Sequence, residues 1–182
     1  VNAVLNHRRE VAGVFVGDFV QAHRRGARFA LEAYGTPIPD EIRRRADLLL
    51  LNCYPLDADP IQTAKAFWPL RYFERAYAIA INPATDGVFY HGLFDQMDYA
   101  RFARRMAERE PVELPAPRIG ERDQMLVCSE YFPVEEFYQR FPDAILFRHW
   151  DTLIPMLAER LPQNACVAAF PFAAIQVAAE GV

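Results

Sequence analysis

Lysine is almost missing from this 182-residue chain: Lys65 is the only one, and the other nineteen basic residues are arginine. The excess of arginine is read as a compositional bias of the source, and a lone lysine that survives such a bias is worth following. Cysteine is scarce too. Cys53, Cys128 and Cys166 lie far apart, each in an apolar run, with no C-x-x-C pair. That excludes a disulfide framework and a cysteine-rich structural zinc site, and it favours a reducing, cytoplasmic setting. No apolar run reaches the ~18–20 residues that a membrane-spanning helix needs, and there is no signal-peptide pattern. Basic charge is in deficit, 20 residues against 24 acidic ones, which argues against a nucleic-acid binder. Neither the G-x-S-x-G elbow of α/β-hydrolases nor a glycine-rich phosphate loop occurs, and no histidine pair has H-x-x-x-H spacing.

What is present is an ordinary globular composition, 52% hydrophobic and 24% charged, of a length that suits one domain. Residues 1–6 and 11–16 are rich in β-branched and apolar side chains around a polar 7–10 segment, the pattern of a β-hairpin. Gly17-Asp18 then offers a turn and an N-cap, and apolar positions at helical spacing run from Phe19 to Ala33, stopping at Gly35. Short continuous apolar segments follow at 46–51, 76–81, 125–128, 144–147 and 166–170. Helical patterns at 60–67, 99–109, 134–140 and 150–161 separate most of them, and 110–122 reads as a proline-bearing loop. Strands of this kind, buried on both faces and alternating with helices, predict an α/β domain. The expected architecture is an open, mostly parallel sheet with flanking helices, preceded by a β-hairpin, in one domain over 1–182. Because the chain opens at Val1 inside a strand-like stretch, it is expected to be part of a longer protein, with the hairpin of residues 1–17 near a domain junction.

In open parallel sheets ligands bind beyond the carboxyl ends of the strands. Those ends fall at Asn52-Cys53-Tyr54, Asn82-Pro83, Ser129-Glu130, His149 and Pro171. The first continues as Tyr54-Pro55-Leu56-Asp57-Ala58-Asp59-Pro60-Ile61-Gln62-Thr63-Ala64-Lys65. Pro60 suits a first helical turn and Asp59 its N-cap. Gln62 and Lys65, three apart, would share one helix face. An amide beside an ammonium group suits a small carboxylate or hydroxyl ligand, although a solvated helix face meets the same spacing more often. After the next strand, Asp86-Gly87 through His91-Gly92 forms a glycine-bounded loop that could bring His91 to the same edge as an acid/base or a ligand. A loop histidine bonded to backbone fits equally well. Cys53 and Cys128 lie near strand ends but have no evident activating base, which favours buried core thiols. Arg43-Arg44-Arg45 reads as a solvated connector. Phe67-Trp68 and Tyr72-Phe73 read as core or interface.

On the segment Tyr54-Pro55-Leu56-Asp57 with Gln62 and Lys65, the chain resembles the C-terminal part of the nickel-dependent lactate racemase family. The stretches Asn2–Asn6, Val14–Asp18 and Ala22-His23-Arg24, and the loop from Asp86 to Gly92, are similar to the family's hairpin, following helix and glycine-histidine loop. The resemblance covers at least Val1 to Gly92. It implies an isomerase that interconverts D and L forms of small 2-hydroxy acids by hydride transfer to a nickel pincer nucleotide. It also implies that the tethering lysine, the nickel-binding histidine and the acid/base histidines lie in an N-terminal catalytic domain outside this chain. No catalytic residue and no bound cofactor or metal are then expected here, and Lys65 is not the tether. Substrate-side roles fall on Gln62, Lys65, Tyr54, Asp57 and His91, with the N-terminal domain and a 2-hydroxy acid as partners. Ile61 stands where the family has tyrosine, Phe89 where it often has glycine, and neither Trp68 nor Trp150 matches the family's tryptophan. These departures point to a divergent member with a different 2-hydroxy acid, or to a non-catalytic binding or interaction module derived from that family.

Overall fold

Two runs of alternating residues open the chain and pair with each other. In the computed structural model, which describes residues 1–73, 75–87, 125–142 and 144–179, β1 (Asn2–Leu5) runs antiparallel to β2 (Val11–Phe15). The turn is held by the Asn6 carboxamide oxygen, which accepts from the Arg8 and Glu10 amides at 2.9 and 3.0 Å. Such an Asx-type turn lets the side chain stand in for backbone pairing. Arg9 sits in the left-handed region at φ 63°, which few non-glycine residues adopt.

Helix α1 (Phe19–Tyr34) starts where Asp18 accepts from the Gln21 amide at 3.1 Å, the expected N-cap. It packs on the hairpin through Gly26, where a Cβ would come within 3.1 Å of Asn2 Nδ2. The helix stops at Gly35, whose amide bonds to the Leu31 carbonyl and where a Cβ would lie 2.4 Å from that oxygen. The other face of the hairpin and the start of α1 leave Leu5, Val11, Val14, Val16 and Phe19 exposed.

The arginine run is not a loop connector. Residues Asp40–Arg45 form a short helix, α2, with Asp40 and Glu41 in its first turn and Arg43, Arg44 and Arg45 in its last. That charge order complements the helix dipole.

Five parallel strands form the main sheet: β3 (Ala46–Asn52), β4 (Tyr77–Ile81), β5 (Met125–Cys128), β6 (Ile145–Phe147) and β7 (Cys166–Phe170). The spatial order is β6-β5-β4-β3-β7. Alternate side chains face two cores. One contains Leu49, Leu51, Ala78, Ala80, Val127 and Phe170, joined by Phe132 and by Phe137 of helix α4 (Val134–Arg140). The other contains Leu48, Ile79, Leu126 and Cys128 against Leu153 and Leu157 of helix α5 (Trp150–Arg160). Leu153 and Leu157 are one turn apart on α5, as a helix lying on a sheet requires. Phe67 and Phe73 are buried, and Trp68 packs edge-on against Phe170, so the aromatic cluster is core.

The expected α/β architecture with a preceding hairpin is the one observed. The helix expected over 60–67 is instead broken into a 3-10 turn (Pro60–Gln62), a single α turn, α3 (Thr63–Ala66), and a second 3-10 turn (Trp68–Tyr72). The helix expected at 99–109 and the loop at 110–122 lie outside the described residues.

Strands β4, β5 and β6 spread to one side of β3, and the chain then returns to place β7 on the other. The strand order therefore reverses at β3, and the segments leaving β3 and β7 diverge at that point. This is where open α/β sheets form their crevice.

Candidate functional site at the sheet's switch point

The segment leaving β3 is tied down almost atom by atom. Cys53 extends the ladder to the Ile81 carbonyl at 3.0 Å, and the Tyr54 amide bonds to Asn52 Oδ1 at 3.2 Å, just before a cis Tyr54-Pro55 bond. Beyond it the amides of Leu56, Asp59 and Gln62 bond to the carbonyls of Cys53, Leu56 and Asp59, each three residues back. The loop after β4 zips onto this segment, with the Ala84 and Asp86 amides donating to the Asp57 and Ala58 carbonyls at 2.9 Å each.

Asn82, at the end of β4, is the staple. It is fully buried, and its amide nitrogen donates to the Asp59 carbonyl at 2.9 Å and to Thr63 Oγ1 at 2.8 Å. Its carboxamide oxygen accepts from the Ala84 amide at 3.0 Å. Ala84 is held there at φ 59°, a costly conformation for a residue with a Cβ. The sheet thus fixes the backbone that presents Gln62 and Lys65.

Gln62 donates from Nε2 to the Asp59 carboxylate at 3.0 Å, which orients the amide. Its Oε1 is buried and has no hydrogen-bond partner among the described residues. Asp59 is itself buried, and its carboxylate accepts from Gln62. Lys65 is exposed, and its ammonium has no ion-pair partner among the described residues.

Both side chains face a cleft of about 790 Å³ at the switch point. Asp59, Gln62, Lys65 and Asp86 form one wall. Phe172, Ile175, Gln176 and Val177, from the segment after β7, form a second, with Ala30 and Tyr34 from the end of α1 beside them. The hairpin closes the third side with Leu5, Asn6, His7 and Arg9. The Arg9 guanidinium donates to the Pro55 carbonyl, and the His7 ring lies 4.7 Å from that of Phe172. Thr36 knits α1 to the last segment, pairing with the Val177 and Ala179 backbone and with Gln176 Nε2.

The other expected site residues are placed differently. Tyr54 is exposed beside the cleft, its ring 6.0 Å from Phe172. Asp57 is half-buried behind the wall, where its carbonyl holds Ala84. His91 and Phe89 lie outside the described residues. His7, Arg9, Phe172 and Asn82 belong to the site and were not singled out as binding residues from sequence. Asn82 had a signal, a polar residue ending an apolar strand. The hairpin residues had none, because nothing local brings residue 9 to residue 55.

Cys53 and Cys128 are inert core thiols. Burial, with the Asp57 charge adding to it, pushes the Cys53 thiol up to about 12. Burial raises Cys128 as well. A thiol kept protonated is a poor nucleophile.

No protein-family description matches the chain, and no curated protein sequence matches it. Among solved structures, it is similar to the lactate racemase apoprotein from Thermoanaerobacterium thermosaccharolyticum, with a TM-score of 0.61 over 97% of this chain. The fold is lactate-racemase-like. Sequence identity is 15%, so the likeness is one of fold, and the chain spans 45% of that protein's length.

Proposed function

We propose that this chain is the C-terminal, substrate-side part of a lactate-racemase-like enzyme that interconverts D- and L-2-hydroxy acids. The observation that carries the reading is the pairing of Gln62 and Lys65 on one wall of the switch-point cleft. Lys65 supplies a cation without an ion-pair partner among the described residues, suited to a carboxylate. Gln62, oriented by Asp59, supplies an amide for the substrate's oxygens. Their backbone is fixed by Asn82, so the two groups meet a ligand with little reordering, and positioning of this kind is what such clamps contribute to a reaction. Closure of a further domain over the cleft would exclude water and strengthen the Lys65–carboxylate contact.

Among the described residues no three of His, Cys, Asp or Glu converge on a metal-sized site. Lys65, the only lysine, is assigned to substrate. The described residues therefore do not fit a resident nickel pincer nucleotide, and no step of this reading runs through one. In the proposed enzyme the cofactor belongs to an N-terminal catalytic domain of the same protein. The three free cysteines suit a cytoplasmic protein. Among the described residues no helix is long and apolar enough to cross a membrane.

The test is turnover. The full-length protein carrying this chain, loaded with nickel and pincer cofactor, should convert single enantiomers of 2-hydroxy acids to mixtures seen by chiral chromatography. Retention of the starting enantiomer across a panel of such acids would refute the reading.

A further inference from the structure

The cleft is larger and greasier than a three-carbon acid requires. At about 790 Å³ it lies toward the upper end of the roughly 300–1,000 Å³ range of pockets that enclose drug-sized ligands. Charged and amide groups line it from the segments after β3 and β4 (Asp59, Gln62, Lys65, Asp86), and further polar groups come from the hairpin and from Gln176. The apolar groups (Leu5, Tyr34, Ile175, Val177) come from β1, the last turn of α1 and the segment after β7.

Those apolar residues are not core. Leu5, Tyr34, Ile175 and Val177 are 55, 44, 39 and 46% exposed. Large apolar side chains left open around a concavity that also carries a few polar groups are the arrangement of a site for an amphiphilic ligand. Phe172, half-buried with its ring tilted against that of His7, lies on the same wall as Ile175 and Val177.

We infer that the preferred ligand is a 2-hydroxy acid with a large apolar side chain, branched aliphatic or aromatic, rather than lactate. The carboxylate and hydroxyl would face Lys65 and Gln62. The side chain would lie against Tyr34, Phe172, Ile175 and Val177. This rests on the proposed function and narrows its substrate class. One methylene in an apolar pocket discriminates by roughly 10–200-fold, so a side chain longer by three or more carbons gives a readable preference even in an open cleft.

The test compares kcat/KM of the full-length, cofactor-loaded protein on lactate, 2-hydroxy-4-methylpentanoate and 3-phenyllactate. The inference predicts at least about tenfold higher kcat/KM for one of the larger acids. It predicts that the double variant I175S/V177S lowers that preference about tenfold, mainly through KM. Both positions are exposed, and the ratio between two substrates on one preparation does not depend on how much of the variant folds. Equal or better turnover of lactate overturns this inference and leaves the proposed function standing. Equal preference in wild type and variant likewise overturns it. Turnover of none of the three acids overturns the proposed function, and this inference with it.

Discussion

The side-chain amide of Asn82 donates to Thr63 Oγ1 at 2.8 Å, and neither residue is exposed to solvent. This contact, with the one to the Asp59 carbonyl, fastens the end of β4 to the segment that carries Gln62 and Lys65. Asn82→Ala would leave the buried Thr63 hydroxyl without its donor, while the Asp59 carbonyl keeps the Gln62 amide and the Ala84 amide keeps the Asp57 carbonyl. An unsatisfied buried group costs about 1–3 kcal/mol, which is the expected loss. For a domain of this size that lowers Tm by roughly 2–12 °C, measurable by calorimetry.

Lys65 is exposed and touches no other charge among the described residues, so its role separates cleanly from stability. Lys65→Ala should leave the unfolding free energy within about 0.5 kcal/mol of wild type. Loss of a charge-assisted contact to a carboxylate should weaken 2-hydroxy acid binding by roughly 10–100-fold, consistent with about 1.5–3 kcal/mol for a hydrogen bond to a charged group. Titration calorimetry on the full-length protein reads the affinity, and denaturant unfolding reads the stability.

Arg9 sets two opposing effects against each other. Its φ of 63° favours glycine by about 1 kcal/mol or more, whereas its guanidinium bond to the Pro55 carbonyl closes the cleft. Arg9→Gly should therefore change stability by less than about 1 kcal/mol, since the gain in backbone offsets a typical hydrogen bond. Ligand affinity should fall, because the hairpin side of the cleft loses its anchor.

The thiols give a prediction in pH. Cys53 stays protonated in the folded chain until about 12, whereas an ordinary thiol titrates near 9. Between those values the unfolded chain binds fewer protons than the folded one, so this group's contribution to stability falls as pH rises from about 9 to about 12. Below 9 it is fully present. Unfolding monitored across that range should show the decline, and Cys53→Ala should remove this component of it. At pH 8 a thiol reagent should label the partly exposed Cys166 well before the buried Cys53 and Cys128.

How much of this was legible in the sequence follows from the range of the forces involved. The five sheet strands, the hairpin and α1 announce themselves because apolar periodicity, caps and glycine stops are local: Asp18 and Gly35 bound α1 where their chemistry says they should. Arg43-Arg44-Arg45, which reads as a connector, ends a helix over Asp40–Arg45, because a six-residue segment has too few apolar positions for a period and its charge order carries the signal. The helix expected over 60–67 is broken because hydrogen bonds to Asn82, from another strand, override local preference. Gln62 and Lys65 share a cleft wall, as their spacing suggests, yet that cleft exists only where β7 returns beside β3. Its far walls, with His7, Arg9 and Phe172, depend on contacts between distant parts of the chain and leave no local mark.

Lys65 and Gln62 are proposed to hold a 2-hydroxy acid for inversion. The most direct measurement is enantiomer composition over time for the full-length, nickel-loaded protein, wild type beside Lys65→Ala, each started from one pure enantiomer. Wild type should approach an equal mixture, with kcat/KM roughly 10–100-fold lower in the variant. A wild type that leaves every 2-hydroxy acid unchanged, or a Lys65→Ala protein that racemises as fast as wild type, would contradict it.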